Sequence, residues 1–432
     1  MTSQKAVRVW RGIAVVVGLG VIGFAAWFAL PGTRQSLITQ TGEDTAGSQL
    51  RALWNLMLEQ ARPPLQLAPD ARIDYFDGVT GAPGVNTFLH QEVEESKRAQ
   101  QLQMVADAGF QWIRQPFPWQ DIEIHGKGDF EDRRNQPVRS AWAKYDNIVA
   151  LAEQQQLNVI ARIDASPEWA RKGFADLGTQ GPPADLHDFA DFVGAVVSRY
   201  KGRIRYYQIW NEPNIYPEWG NQRSNPEDYA RMLCLAYQKA KSIDPNVVIV
   251  AAALAPTISQ DGGGYPGGGL NDLVFLQRMY AAGAGACFDV AAAQGYGLFS
   301  GPDDHRTSPL QTNIARHVLM RDIMVRNGDA HKPIWLAEVN WNALPADPNS
   351  VPGGISDYGR YGITTIEQQA RYVPQVYERA KREWPWVGVI AVWYFKPASD
   401  SEKNTAPYYF RMVEPDFTPL PIYEAMKAYL RP

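Results

Sequence analysis

The chain has 432 residues, 45% of them hydrophobic and 20% charged, which excludes disordered, collagen-like and coiled-coil proteins. Forty-six acidic against 42 basic residues leave a net charge of −4, so nothing marks the chain for nucleic acid or another polyanion. Two cysteines, Cys234 and Cys287, are too few for a disulfide scaffold or a four-cysteine zinc site, and leave open a single disulfide between them.

The first element is an uninterrupted apolar run at 13–30, IAVVVGLGVIGFAAWFAL. Its 18 residues are close to the roughly 20 that cross a bilayer. Lys5, Arg8 and Arg11 precede it and only Arg34 follows closely, which sets residues 1–12 in the cytoplasm and the rest of the chain outside. A cleaved signal peptide is the rival, although the run is long for one and no clear A-x-A site follows. Gly18, Gly20 and Gly23 also spell G-x-G-x-x-G, with Glu43 and Asp44 about 20 residues on. The stretch from Phe24 to Leu30 shows no amphipathic face and Pro31 stops it, so a dinucleotide turn is disfavoured. Residues 31–70 read as a polar stalk with one amphipathic stretch, LRALWNLML, fit to dock on a domain or lie on a membrane surface.

From residue 71 onward, short β-branched or aromatic runs alternate with helix-length amphipathic segments. Strands are predicted near 83–88, 111–116, 158–165, 205–211, 247–255, 290–296, 334–340 and 388–396. Helices are predicted at 185–200, 226–243 and 422–430 among others, the first with Phe189, Val193, Val196 and Val197 on one stripe. Eight βα units in residues 71–432 predict a (β/α)8 TIM barrel behind a single transmembrane helix, with an open doubly wound sheet as the fallback. Long loops are expected at 118–140 and 256–270, and the glycine-rich DGGGYPGGG in the second suggests a mobile lid carrying Tyr265.

The barrel assignment turns sequence into geometry, because chemistry on this fold sits at the C-terminal strand ends. Those ends carry Arg114, Asp164, Asn211 with Glu212, Gln294 with Tyr296, Glu338 through Trp341, and Trp393. Glu212 closes YYQIWN and Glu338 closes PIWLA, so each is poorly solvated unless hydrogen-bonded, which favours a raised pKa and acid chemistry. Pairing with a rim arginine is the plainer role for either alone. Two such carboxylates on the fourth and seventh strands face each other across one barrel, within reach of the roughly 5–5.5 Å that retaining glycosidases use.

IWNEP on the fourth strand, WLAEVNW on the seventh and WYF on the eighth together resemble retaining glycoside hydrolases of clan A, nearest the family 39 and cellulase-like (family 5) branches. The resemblance spans about 71–430. It implies Glu212 as acid/base, Glu338 as nucleophile, Asn211 on the sugar 2-hydroxyl, and Arg114 and Tyr296 holding the nucleophile. Gln294 departs from it, since many relatives have His two residues before the strand-six tyrosine. An anchor ahead of such a barrel also resembles bacterial enzymes that trim exopolysaccharide during synthesis.

Trp119, Trp169, Trp219, Trp341 and Trp393 fall at or just past strand ends, where an indole either stacks on a sugar face or simply packs; Trp341 and Trp393 are assigned to substrate. Asp164 is a candidate for a sugar hydroxyl or for an arginine, and Lys396 for a structural ion pair. The six histidines are scattered without ligand spacing and no G-x-S-x-G elbow is present, so no metal and no organic cofactor are expected. The expected function is an extracytoplasmic, membrane-anchored glycosidase acting on a polysaccharide or oligosaccharide. A transglycosylase and a catalytically silent glycan-binding barrel are the alternatives, and a nicotinamide-dependent oxidoreductase rests on the Gly18 motif alone.

Overall fold

A computed structural model describes residues 32–33, 63–171, 178, 180–258 and 269–431. The predicted anchor at 13–30, nearly all of the 31–62 segment and most of the glycine-rich loop, with Tyr265, lie outside the described residues. Among the described residues no helix is long and apolar enough to cross a membrane. The chain divides after Pro64, and Leu65–Pro432 is the unit that carries the barrel. Leu65 and Leu67, at the end of the predicted stalk, already pack against its core.

The strands are β1 (Ala82–Asn86), β2 (Trp112–Pro118), β3 (Glu131–Asp132), β4 (Arg139–Ser140), β5 (Asn158–Asp164), β6 (Tyr206–Ile209), β7 (Val248–Val250), β8 (Ala291–Tyr296), β9 (Ile334–Asn340) and β10 (Val387–Val392). Between them run α1 (Glu95–Asp107), α2 (Trp119–Ile122), α3 (Ala143–Gln154), α4 (Leu186–Arg199), α5 (Pro226–Ile243), α6 (Asp272–Ala281), α7 (Arg316–Arg326), α8 (Ile366–Glu383) and α9 (Pro421–Leu430). Eight strands form one parallel sheet in the order β7-β6-β5-β2-β1-β10-β9-β8. Parallel bridges from Val250 to Val290 and from Leu254 to Ala293 join its two ends into a barrel. All eight predicted strands are present, and β3 and β4 are an antiparallel ribbon inside the predicted 118–140 loop.

Burial on both faces explains the apolar strands. β7 and β10 are buried at every residue, as expected when helices cover the outside and side chains fill the inside. Helix starts are marked in the sequence: Asn225 caps α5 ahead of Pro226, and Thr365 and Gln368 form a reciprocal capping box on α8. The barrel's lower interior is plugged by rings. Trp112 lies 4.7 Å from Tyr206 and 5.4 Å from Trp335, centroid to centroid.

Two residues further along the same inward face, the apolar plug gives way to polar groups: Arg114 above Trp112, and Gln208 above Tyr206. On β9 the register slips between Ala293–Leu336 and Gln294–Glu338, so Ala337 is the extra residue of a bulge. Ala337 belongs to the inner cluster and Glu338 points inward as well, reaching Arg114. Strict alternation would have turned Glu338 toward the helices; the bulge re-aims it.

Cys234 on α5 and Cys287, which ends a 3-10 turn at Ala284–Cys287, form a disulfide with their Cα atoms 4.8 Å apart. The bond left open by the sequence is therefore made. Lys396, as expected, is a structural partner, buried and 3.0 Å from Glu92.

Candidate active site

Arg114 organises the floor of the site. Its Nε donates to Gln208 Oε1 at 2.7 Å, one terminal nitrogen to Asn86 Oδ1 at 2.8 Å and to Glu338 Oε1 at 2.7 Å, and the other to Asn211 Oδ1 at 2.7 Å. Glu338 accepts a second bond on Oε2, from the Tyr296 hydroxyl at 2.6 Å. Two donors on separate oxygens, one of them a guanidinium, are what an ionised carboxylate accepts. Asn86 is fixed in turn by donating to the Ala337 and Val392 carbonyls.

Glu212 has different surroundings. Its Oε1 accepts from Gln294 Nε2 at 2.7 Å, and it remains partly open because it lines a cleft. It is ringed by protein atoms, so desolvation raises its pKa well above the carboxylate range, and the charges of Glu338 and Glu218 push the same way. Gln294 Oε1 is buried without a hydrogen-bond partner among the described residues. The backbone here is unusual. Trp210 has φ +71° and Glu212 φ +34°, both left-handed at non-glycine residues. Trp210 N bonded to Ile163 O, its indole bonded to Glu218 O, and Glu212 N bonded to Ala253 O hold the turn. Strain over-determined in this way gathers where function needs a side chain aimed.

The cleft holds about 730 Å³, and Glu212, Glu338, Asn211, Tyr296 and Trp393 all line it. Five of the eight predicted site residues thus share one cavity. Arg114 and Asp164 lie just beneath, 1% and 4% exposed. Asp164 Oδ2 is 2.7 Å from Arg162 Nε, an ion-pair contact that is misaligned for a hydrogen bond. Of its two predicted roles, Asp164 therefore takes the arginine. Trp341 is corrected: it is fully buried, its indole donates to Ser300 O at 2.6 Å, and it does not line the cleft. Trp119 and Trp219 are core residues too, at 0% and 1% exposure, and Trp169 packs edge-on against Trp119. Only Trp393 among the five presents itself to the cleft, its ring 5.2 Å from Phe88.

The sequence reading missed Glu218, Arg162 and Phe299 on the cleft wall. Glu218 accepts from Asn211, and burial first, then the charges of Asp164 and Glu338, raise it to about 7 against the opposing pull of Arg162. It stands six residues past Glu212, where no strand periodicity says which way a loop side chain points. Among the described residues no group of three or more His, Cys, Asp or Glu is arranged to hold a metal ion.

No family model and no curated protein matches the sequence. Solved structures do. A family 39 glycoside hydrolase from the gut symbiont Bacteroides cellulosilyticus WH2 superposes with a TM-score of 0.58 at 16% identity, over 81% of this chain and 63% of that one. A GH39 enzyme from Xanthomonas axonopodis pv. citri gives 0.55 at 15%, over 84% and 68%. An exo-β-1,4-mannosidase from Opitutaceae bacterium strain TAV5 gives 0.55 at 15%, over 84% and 62%. The chain spans about two thirds of the length of these proteins. At such identities the likeness establishes the fold: the barrel is built as in family 39 glycoside hydrolases.

Proposed function

We propose that this chain is a retaining glycoside hydrolase whose barrel acts outside the cytoplasm on an oligosaccharide or polysaccharide, held to the membrane by residues 13–30. The observation that carries the chemistry is the opposed environment of two carboxylates in one cleft. Glu338 accepts hydrogen bonds from Arg114 and Tyr296, while burial and its neighbour's charge push the Glu212 pKa well up, which favours its protonated form. Two acidic groups in such different surroundings divide into nucleophile and acid. Glu338 attacks the anomeric carbon as Glu212 gives its proton to the departing oxygen. The glycosyl–Glu338 ester is then cleaved by a water that Glu212, now a base, deprotonates, and the anomeric configuration is retained. Asn211, which accepts from Arg114 and lines the cleft with both carboxylates, supports this reading as the group that takes the sugar 2-hydroxyl.

Two features support the location. The apolar 13–30 run carries its positive residues on the N-terminal side. The Cys234–Cys287 disulfide suits an oxidising compartment and is independent of that run.

The test is the anomeric configuration of the first-formed product, read by NMR on the full-length protein. The panel starts from β-xylosides, β-mannosides and β-glucosides, sugars that the structural neighbours' names suggest. Retention is expected. Glu338→Gly should be inactive and rescued by azide as a glycosyl azide of inverted configuration. Glu212→Ala should lose about 10²–10⁴-fold on natural glycosides and less on aryl glycosides with good leaving groups. Inversion by the wild type, or an active Glu338→Gly without azide, would overturn the assignment. Transfer to a sugar acceptor in preference to water would make the chain a transglycosylase.

A further inference from the structure

Phe299 is 73% exposed and lines the same cleft as Glu212 and Glu338. No other Phe, Tyr or Trp among the described residues is exposed. An exposed phenyl ring forgoes the gain of burial, and one that lines a cleft together with a second exposed apolar residue, Ile258, marks a surface fit for a ligand.

The backbone that carries the ring is fixed, because its turn is pinned from three directions. Leu298, just before it, holds φ +53°, a left-handed conformation uncommon for a residue of this bulk. Gly362, itself at φ +82°, packs so tightly on this turn that a Cβ there would sit 2.0 Å from the Leu298 carbonyl oxygen. Behind the turn stands Trp341. Its indole donates to Ser300 O at 2.6 Å, and a Cβ at Gly297 would fall 1.8 Å from its ring. Ser300 N closes the turn on Gly297 O at 3.2 Å. A buried tryptophan, two glycines and a left-handed leucine thus fix the backbone from which the phenyl ring projects.

We infer that Phe299 is the platform of a separate subsite, which takes the C–H face of a sugar ring beyond the one that sits between Glu212 and Glu338. Ile258, 48% exposed, extends the apolar surface of the same cleft, and Arg360 and Thr312 line it with groups able to bond sugar hydroxyls. A face that is apolar in the middle and polar at its edge matches a pyranose, whose ring hydrogens point one way and whose hydroxyls radiate outward. The substrate class follows: a glycan of several residues rather than a simple glycoside. Trp341 then has a role after all, as a positioning residue for Phe299.

The inference rests on the hydrolase reading, and the experiment separates the two. Full-length wild type, Phe299→Ala and Phe299→Trp are compared on nitrophenyl β-xyloside, β-mannoside and β-glucoside and on the matching β-1,4-linked oligosaccharides of two to six residues. Phe299→Ala should raise KM for the hexasaccharide about 10-fold more than for the monoglycoside, with kcat changing less, and Phe299→Trp should restore it. Equal changes on short and long substrates, or no restoration by Trp, would overturn the subsite while leaving the hydrolase intact. Should the wild type cleave none of these, the hydrolase reading fails by itself. Affinity electrophoresis through xylan and glucomannan then tests the platform directly. Retardation of the wild type that Phe299→Ala abolishes supports it, and equal mobility overturns it.

Discussion

Under the proposed mechanism, replacing Gln294 with Leu separates acid catalysis by Glu212 from the stability of the barrel. Gln294 Nε2 is the side-chain donor to Glu212, at 2.7 Å, and a donor favours the ionised carboxylate. Removing it must therefore raise the Glu212 pKa further. A hydrogen bond to a charged group is worth about 1.5–3 kcal/mol, and one pH unit corresponds to about 1.4 kcal/mol. Cleft water will replace part of the loss because Glu212 is not sealed off, so an upward shift of about one unit is expected. The sign in activity follows from the role. Glu212 must carry its proton to act as acid, and activity falls as pH rises through its pKa. The alkaline limb of kcat/KM should thus move up by about one unit, as a property of the coupled carboxylate pair. Stability should respond differently. The substitution loses a bond of about 0.5–1.5 kcal/mol but also removes the buried, unpartnered Oε1, whose burial costs about 1–3 kcal/mol. The urea midpoint should stay the same or rise slightly. An alkaline limb that stays put or moves down would refute the acid assignment, and a loss of more than about 2 kcal/mol would refute the cost assigned to the orphaned oxygen.

Arg114→Met should behave in the opposite way: it removes the cation and all four of its bonds at once, leaving a buried carboxylate unpaired. About 3–5 kcal/mol of stability should be lost, read by urea unfolding, and a loss under about 1 kcal/mol would contradict the ion pair. Cys234→Ser opens a disulfide that spans 53 residues, for which loop entropy predicts a loss of about 4 kcal/mol. Reductant should lower the melting temperature of the wild type and leave Cys234→Ser unaffected. The proposed anchor predicts a full-length chain that stays with membranes through a carbonate wash. A soluble mature protein starting beyond residue 30 would instead identify 13–30 as a cleaved signal.

Periodicity located the barrel strands to within a few residues because both faces of a parallel strand are buried, so apolar runs and strands coincide, as at Val387–Val392. It overran where a strand stops for conformational reasons. The predicted 205–211 ends at Ile209 because Trp210 turns left-handed, and the apolar 247–255 pairs regularly only over Val248–Val250. The two glutamates were legible because each ends a strand with apolar neighbours. Their facing each other was expected as well, but the bulge that turns Glu338 inward against the alternation was not legible, since a bulge is a register property of two strands. Rim residues were least legible. Trp341 and Trp393 look alike in sequence, yet one is sealed behind the 297–300 turn and the other faces the cleft. Cys234 and Cys287 meet because α5 packs on the turn before β8, a long-range contact that spacing cannot reveal.

Every group that grips Glu338 directly or holds Arg114 comes from a strand or its first residues beyond: Asn86 on β1, Arg114 on β2, Gln208 and Asn211 at β6, and Tyr296 on β8. None comes from the long connections that shape the rim. The chain therefore separates into a fixed reaction floor and an exchangeable collar. Loops can be lengthened, shortened or replaced without loosening Glu338, because none of these restraints passes through them. Such a division lets the rim change its shape while the floor beneath it stays as it is. It also makes this barrel a practical scaffold, on which grafting the collar of another barrel should, under the proposed function, change what is recognised before it changes what is done.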